Sequence, residues 1–287
     1  MRGLVVLLAG CNAVFGIKET RVNDAAFFDA PTDAPFACPV FGAPPPVFSL
    51  TLHQETIETC VSYHASATLA AGSCFDMPSS LYVPMVGPLH APLQIEPGLP
   101  KTNMITHPYQ YYSDPHPSTD GTHLYIRHQH EETSFQVTID VYTLAGGAWS
   151  FSGTLPSSTA YPTLIGIVST AAGDRMILDE GANETEWSPD GSGGYMLVGT
   201  HPPSDLGITS IQDFAMSHDG LHAVLEGYLA GAPTPAVFWT QRASLNDWFT
   251  PVQPLPGVPL TSASDMTDDC GRVYFAALGS IIYVQRE

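Results

Sequence analysis

Three histidines and two glutamates stand close together at His123, His128, His130, Glu131 and Glu132. Imidazole and carboxylate are the donors that transition metals take, so a metal centre is the first chemistry to weigh. The spacing speaks against it. On an extended strand 128 and 130 share one face while 123 takes the other, so three ligands do not converge. No C-x-x-C pair supplies sulfur ligands, and no metal or cofactor is expected. Paired carboxylates are the second possibility, because two acids flanking a bond can hydrolyse a glycoside. Asp114 and Asp213 occupy matching places in two similar stretches of the chain. An aspartate there also suits a plainer role, capping a turn or bonding neighbouring backbone. Tyr109, Tyr111 and Tyr112 could stack on sugar rings or simply pack a sheet. No G-x-S-x-G elbow, H-E-x-x-H or phosphate-cradling glycine loop is present.

The two similar stretches are DPHPSTDGTHLYIR (114–127) and DFAMSHDGLHAVLE (213–226). Aligned on Gly121 and Gly220, both place Asp seven residues before the glycine, at Asp114 and Asp213. Both place Ser three before, at Ser118 and Ser217, and Asp one before, at Asp120 and Asp219. His follows two residues later, at His123 and His222, which gives these histidines a structural reason to recur. The Asp-Gly pair closes a tight hairpin with glycine at positive φ. After it, Leu124 and Ile126 face one side of a strand and His123, Tyr125 and Arg127 the other. A third copy, SDMTDDCGRVYFAA, carries Gly271 and puts Ser264 and Cys270 where the others have Asp. A fainter one surrounds Gly173. The successive gaps between Gly121, Gly173, Gly220 and Gly271 are 52, 47 and 51 residues, and one step back reaches Gly72. A period near 50 built of strand–turn–strand units is the mark of a propeller.

The motif resembles the WD-like β-propeller repeats of the TolB type, whose core is Ser-Pro-Asp-Gly followed by a strand. Ser188-Pro189-Asp190-Gly191 matches that core literally but lies out of phase, 18 residues after Gly173. Either it is the true turn of its blade or an extra blade is present, so the expectation is five blades, or six. The resemblance covers residues 110–287 and implies architecture, with little about activity. Some five-bladed propellers are glycoside hydrolases with acids around the central channel, which keeps Asp114 and Asp213 in view. The sialidase-type Asp box is not matched, because Ser118-Thr119-Asp120-Gly121 has the wrong spacing.

Composition agrees. Twenty-five Gly and 26 Pro among 287 residues break up long helices and favour short strands. The net charge of −19 argues against nucleic acid, since phosphates need a basic footprint, and against docking on anionic lipid by charge. The opening MRGLVVLLAGCNAV resembles a bacterial lipoprotein signal peptide, with Leu8-Ala9-Gly10-Cys11 as the lipobox. That resemblance implies lipidation of Cys11, removal of residues 1–10 and, with Asn12 following, an outer-membrane address in the cell envelope. Residues 11–37, rich in proline, read as a tether and 38–287 as the folded domain. Without Cys11 four cysteines remain: Cys38, Cys60, Cys74 and Cys270. An exported chain meets oxidising conditions, so two disulfides are expected. Of three connectivities, Cys60–Cys74 with Cys38–Cys270 is preferred, because the second joins the domain's start to its end.

The expectation is thus an all-β propeller of four-stranded blades whose last blade lacks a strand. Residues 47–52 are expected to supply it and close the ring. Its function is expected to be non-catalytic binding or scaffolding of a protein, peptide or polysaccharide. The alternative is a propeller-type glycoside hydrolase or lyase.

Overall fold

The computed structural model describes residues 38–287 apart from 50, 55–58, 67, 101–109, 131–135, 158, 160, 218, 256–257, 259–262, 268–269 and 278–279. The lipobox, Tyr109 and Glu131-Glu132 lie outside the described residues. The strands are β1 (His53–Gln54), β2 (Cys60–Ala65), β3 (Leu69–Asp76), β4 (Leu81–Pro88), β5 (Gln110–Pro117), β6 (His123–His130) and β7 (Gln136–Ala145). They continue with β8 (Ala148–Thr154), β9 (Thr163–Thr170), β10 (Gly173–Asp179), β11 (Glu184–Pro189), β12 (Tyr195–His201) and β13 (Ser210–Met216). The last are β14 (His222–Tyr228), β15 (Ala236–Gln241), β16 (Gln253–Pro254), β17 (Ala263–Met266), β18 (Arg272–Ala277) and β19 (Ser280–Gln285). Antiparallel pairing sorts them into five sheets: β2–β4, β5–β8, β9–β12, β13–β16, and β17–β19 with β1. These are the five blades of a β-propeller, numbered one to five in that order.

Why such blades stack is visible in the alternation along their second strands. On β6, Leu124 and Ile126 pack with Ala71 and Val86 of blade one, while Tyr125 packs with Leu164 and Met176 of blade three. On β14, Leu225 turns to Ile177 of blade three and Val224 to Val273 and Phe275 of blade five. Tyr63 and Cys74 of blade one meet Tyr274 and Ile281 of blade five. There is one apolar core for each of the five blade interfaces among the described residues. Both faces of a blade are therefore buried, and each fully buried Leu, Ile or Phe contributes about 1.5–3 kcal/mol.

The ring closes by the N-terminal segment. β1 pairs with β19, with His53 opposite Tyr283, and Phe48 bridges Arg286. The paired strand thus sits just past 47–52, while the earlier part of the segment still adds hydrogen bonds, Ser49 N–H to Gln285 O and Glu287 N–H to Val47 O. Both preferred disulfides are present. Cys60–Cys74 links adjacent strands, and Cys38–Cys270 spans 232 residues of sequence. The His222 ring nitrogen at Pro39 O (2.8 Å) and the Gln241 amide donating to Ala43 O (3.2 Å) seat this part of the leading segment on blade four.

Three expectations need correction. The literal motif Ser188-Pro189-Asp190-Gly191 is neither the main turn of its blade nor a sign of a sixth. It joins β11 to β12, the outer hairpin, where Asp190 gathers the N–H groups of Ser192 and Gly194. Gly173 stands at the β9–β10 turn, as the period suggests. Gly72 lies inside β3 and marks no turn; a side chain there would meet Ser62 O at 2.7 Å. Among the described residues blade one has three strands, with an isolated Val86–Gln94 bridge at its outer edge.

Candidate functional site in the axial channel

The repeated turns hold the first strand of each blade in place. Ser118 Oγ donates to Asp120 Oδ1 (2.7 Å) and accepts the His123 N–H (2.9 Å), while Asp120 Oδ1 takes the Thr122 N–H. Ser217, Asp219 and His222 repeat this bond for bond, and Gly121 (φ 71) and Gly220 (φ 69) supply the left-handed residue. In the third copy the pattern is shifted by one. Thr267 Oγ1 accepts the Arg272 N–H (2.9 Å), and the left-handed residue is Cys270 (φ 54). The alignment on Gly271 is therefore out of register: Cys270 takes the glycine's place, not the aspartate's. Ser118, Asp120, Ser217 and Asp219 thus bond within their own turns. Asp120 and Asp219 are pushed up by burial, but the hydroxyl and amide donors around them and the following histidine outweigh it and hold both carboxyls low, Asp219 at about 2.

The first strands surround the axis, with β5 against β2, β2 against β17, β17 against β13 and β13 against β9. Each carries an irregularity in its ladder with the second strand: at Val61, Asp114-Pro115, Ile165, Gln212 and Ser264. Bulges of this kind twist a strand and re-aim its side chains. One position per strand is equivalent. His64 pairs with Ala71, His116 with Tyr125, Gly166 with Ile177, Ala215 with Val224 and Asp265 with Tyr274. All five line one axial pocket. Three consecutive blades thus present Asp265, His64 and His116 at one level, and the other two present Gly166 and Ala215. At Gly166 a Cβ would approach Met216 Cε to 2.9 Å, so the flexible Met216 side chain borders the space beside it.

Asp114 joins this group from the bulge of β5. It is a non-glycine residue at φ 51, and its N–H donates to Ser73 Oγ of blade one at 2.7 Å. Its carboxylate lies 2.9 Å from His64 Nε2 and 3.3 Å from His116 Nε2, and the two imidazoles stack at 3.4 Å. Burial pushes the Asp114 carboxyl up, but the imidazoles of His116 and His64 outweigh it and hold it well below the usual carboxylate range. Asp265 is the opposite case. Its carboxylate accepts the Ala65 and Met266 N–H groups and ties β17 to β2. Burial dominates there and pushes it up to about 7, against the pull of His64 and the two amides. The pocket's water-accessible volume is about 30 Å³.

The other candidate residues fall elsewhere. Asp213 stands opposite Glu226 in the β13–β14 ladder, with its side chain outside the description. His123 is 3.4 Å from Asp174, His128 is bound to Asp140 at 2.8 Å and His130 Nε2 lies 3.1 Å from Thr138 Oγ1, so the three histidines of β6 have different polar partners. Tyr112 stacks on His128 at 4.1 Å and belongs to blade packing. Sequence reasoning singled out Asp114 but missed His64, His116 and Asp265. His64, before the shorter Ser66–Leu69 turn, carried no signal; for His116 and Asp265 the signal was the residue five before a left-handed turn residue, Gly121 and Cys270. It was hidden because the third copy was aligned one residue late, on Gly271.

No protein-family model matches the chain, and no curated protein matches its sequence. Solved structures similar to it include the periplasmic gluconolactonase of Pseudomonas aeruginosa, at 14% identity and TM-score 0.39, covering 68% of this chain and 53% of that one. A thermostable family-43 glycoside hydrolase gives 10% identity and TM-score 0.45 over 88% of this chain and 92% of that one. The Dos1 propeller gives 11% identity and TM-score 0.33 over 84% and 95%. The chain spans about half the length of the gluconolactonase.

Proposed function

We propose that this chain is an exported, lipid-anchored propeller of the cell envelope that binds a large partner without transforming it. The lipobox around Cys11 and the TolB-like turns support the envelope assignment. The observation that carries the binding role is the size of the axial pocket. About 30 Å³ is an order of magnitude below the roughly 300–1,000 Å³ of pockets that enclose organic ligands. A protein, peptide or polysaccharide would therefore be engaged on a face of the disc, by loops between strands. The test is to incubate the purified chain with a panel of envelope proteins and polysaccharides, scoring retention and released reducing ends together. Retention without release is expected; release of reducing ends overturns the reading. Radiolabelled palmitate entering the wild type and not Cys11→Ala checks the anchor.

A glycoside hydrolase remains the second reading, on one observation. Asp114 and Asp265 sit in surroundings that drive their protonation apart, the pattern expected of an acid and its partner base. Release that disappears in Asp114→Asn would establish it.

A further inference from the structure

We infer that His64, Asp114 and His116 form a site for one divalent transition-metal ion of the zinc type, at the axis of the ring. The inference stands apart from the identity of any large partner. Three donors from two neighbouring blades converge there, two imidazole nitrogens and a carboxylate oxygen, all within 4.8 Å of one another. Zinc holds such ligands at about 2.0–2.1 Å, which sets tetrahedral ligand atoms roughly 3.3–3.4 Å apart. The Nε2–carboxylate separations of 2.9 and 3.3 Å are already close to that. Because the two rings stack, they must splay apart for both Nε2 lone pairs to meet one ion.

The two rings stack at 3.4 Å and both bring Nε2 to one carboxylate, so two nitrogen donors and an oxygen donor gather at one point. A ring nitrogen of this kind is the common ligand of such ions. Support outside the ligand atoms is present as well. Ser73 of blade one accepts the Asp114 N–H and fixes the bulge that turns the carboxylate toward His64. The pocket beside both histidines holds one or two waters by volume, room for a solvent ligand in an open fourth position. Nitrogen donors select against calcium, which takes six to eight oxygens. The other group of metal-type atoms, Cys38, His222 and Cys270, offers no thiolate because its sulfurs form the disulfide.

The experiment uses the full chain, purified through a chelator and titrated with Zn²⁺, Co²⁺ and Ca²⁺ by calorimetry and visible absorption. One Zn²⁺ per chain is expected, with a Co²⁺ d–d band of low symmetry and no comparable heat from Ca²⁺. His64→Ala and His116→Ala should each weaken Zn²⁺ binding by roughly 100-fold or more, the loss of a direct ligand exceeding the 10–100-fold typical of supporting residues. His90→Ala, at an exposed turn residue, should leave it unchanged. Should an alanine variant fail to fold, nitrogen NMR of the wild type decides: Zn²⁺ must move the Nε2 resonances of two histidines and not those of the rest. The inference is overturned by the absence of a Co²⁺ band, by Zn²⁺ heat that survives His116→Ala, by Ca²⁺ binding in its place, or by Nε2 shifts spread over other histidines.

Discussion

The hairpins of blades two and four carry the same turn and different strands. Ser118-Thr119-Asp120-Gly121 and Ser217-His218-Asp219-Gly220 share their bonds, yet five residues before the glycine stands His116 in one and Ala215 in the other. The bulge differs too. Blade two skips Asp114 and Pro115, blade four only Gln212. What repeats builds the ring, and what departs from the repeat makes the polar site on its axis.

The two turns are also held by different neighbours, and that difference can be broken. In blade four, Arg242 donates to Gly220 O and, through Nη1, to Glu186 of blade three at 2.7 Å; Arg175 also reaches Glu186, at 2.9 Å. All three are buried. Glu186→Ala leaves two buried cations uncompensated and should cost about 3–5 kcal/mol in denaturant unfolding. In blade two the link is Thr119 Oγ1, which accepts the Ser169 N–H, and Thr119→Ala should cost about 1 kcal/mol. Equal losses would mean that the tethers are equivalent after all.

Next in size are the glycines. Alanine at either pays about 1 kcal/mol for its left-handed backbone. At Gly220 a Cβ also meets Leu245 at 2.8 Å and Val168 at 3.1 Å, whereas at Gly121 the nearest atom is the Thr68 hydroxyl at 3.3 Å. Gly220→Ala should therefore cost about 2–3 kcal/mol against about 1 for Gly121→Ala, read from paired thermal melts. Ser118→Ala and Ser217→Ala should cost about 1–2 kcal/mol each and match within error, because both hydroxyls are buried and bond alike. A clear difference between them would break the equivalence of the turns.

The smallest effect is electrostatic. Asp219, held at about 2, is ionised in the folded chain at pH values where the unfolded chain has begun to protonate. Its contribution is present above pH 3.8 and lost as pH falls toward 2. The side chain is 44% exposed, so solvent screening keeps the amount under about 1 kcal/mol. Asp219→Asn should flatten acid unfolding in that window. Asp120→Asn should do so less, since its histidine, His123, turns to Asp174, whereas His222 stays buried beside Asp219.

Much of the ring was legible in the sequence because its signals are local. A serine, an aspartate and a left-handed residue within four positions define a turn, and a spacing near 50 counts the blades. The polar site was less legible because its partners are not local. His64 and Asp114 are 50 residues apart and meet only when blades one and two stack. The literal Ser-Pro-Asp-Gly misled, since an outer hairpin needs the same positive-φ glycine as an inner one. Blade three's inner turn uses Thr170 and Gly173 with no aspartate, and so looked weak.

The closing seam also dictates an order of events as the chain is made. Cys60 can find Cys74 as soon as one hairpin emerges, but Cys38 must wait for a partner 232 residues downstream. Until then it competes for the same two sulfurs nearby. Contacts this distant form late and slowly. Making both bonds passes four electrons to an external oxidant, and a premature bond from Cys38 to Cys60 or Cys74 must be exchanged before the ring can close, leaving a bare sheet edge until then.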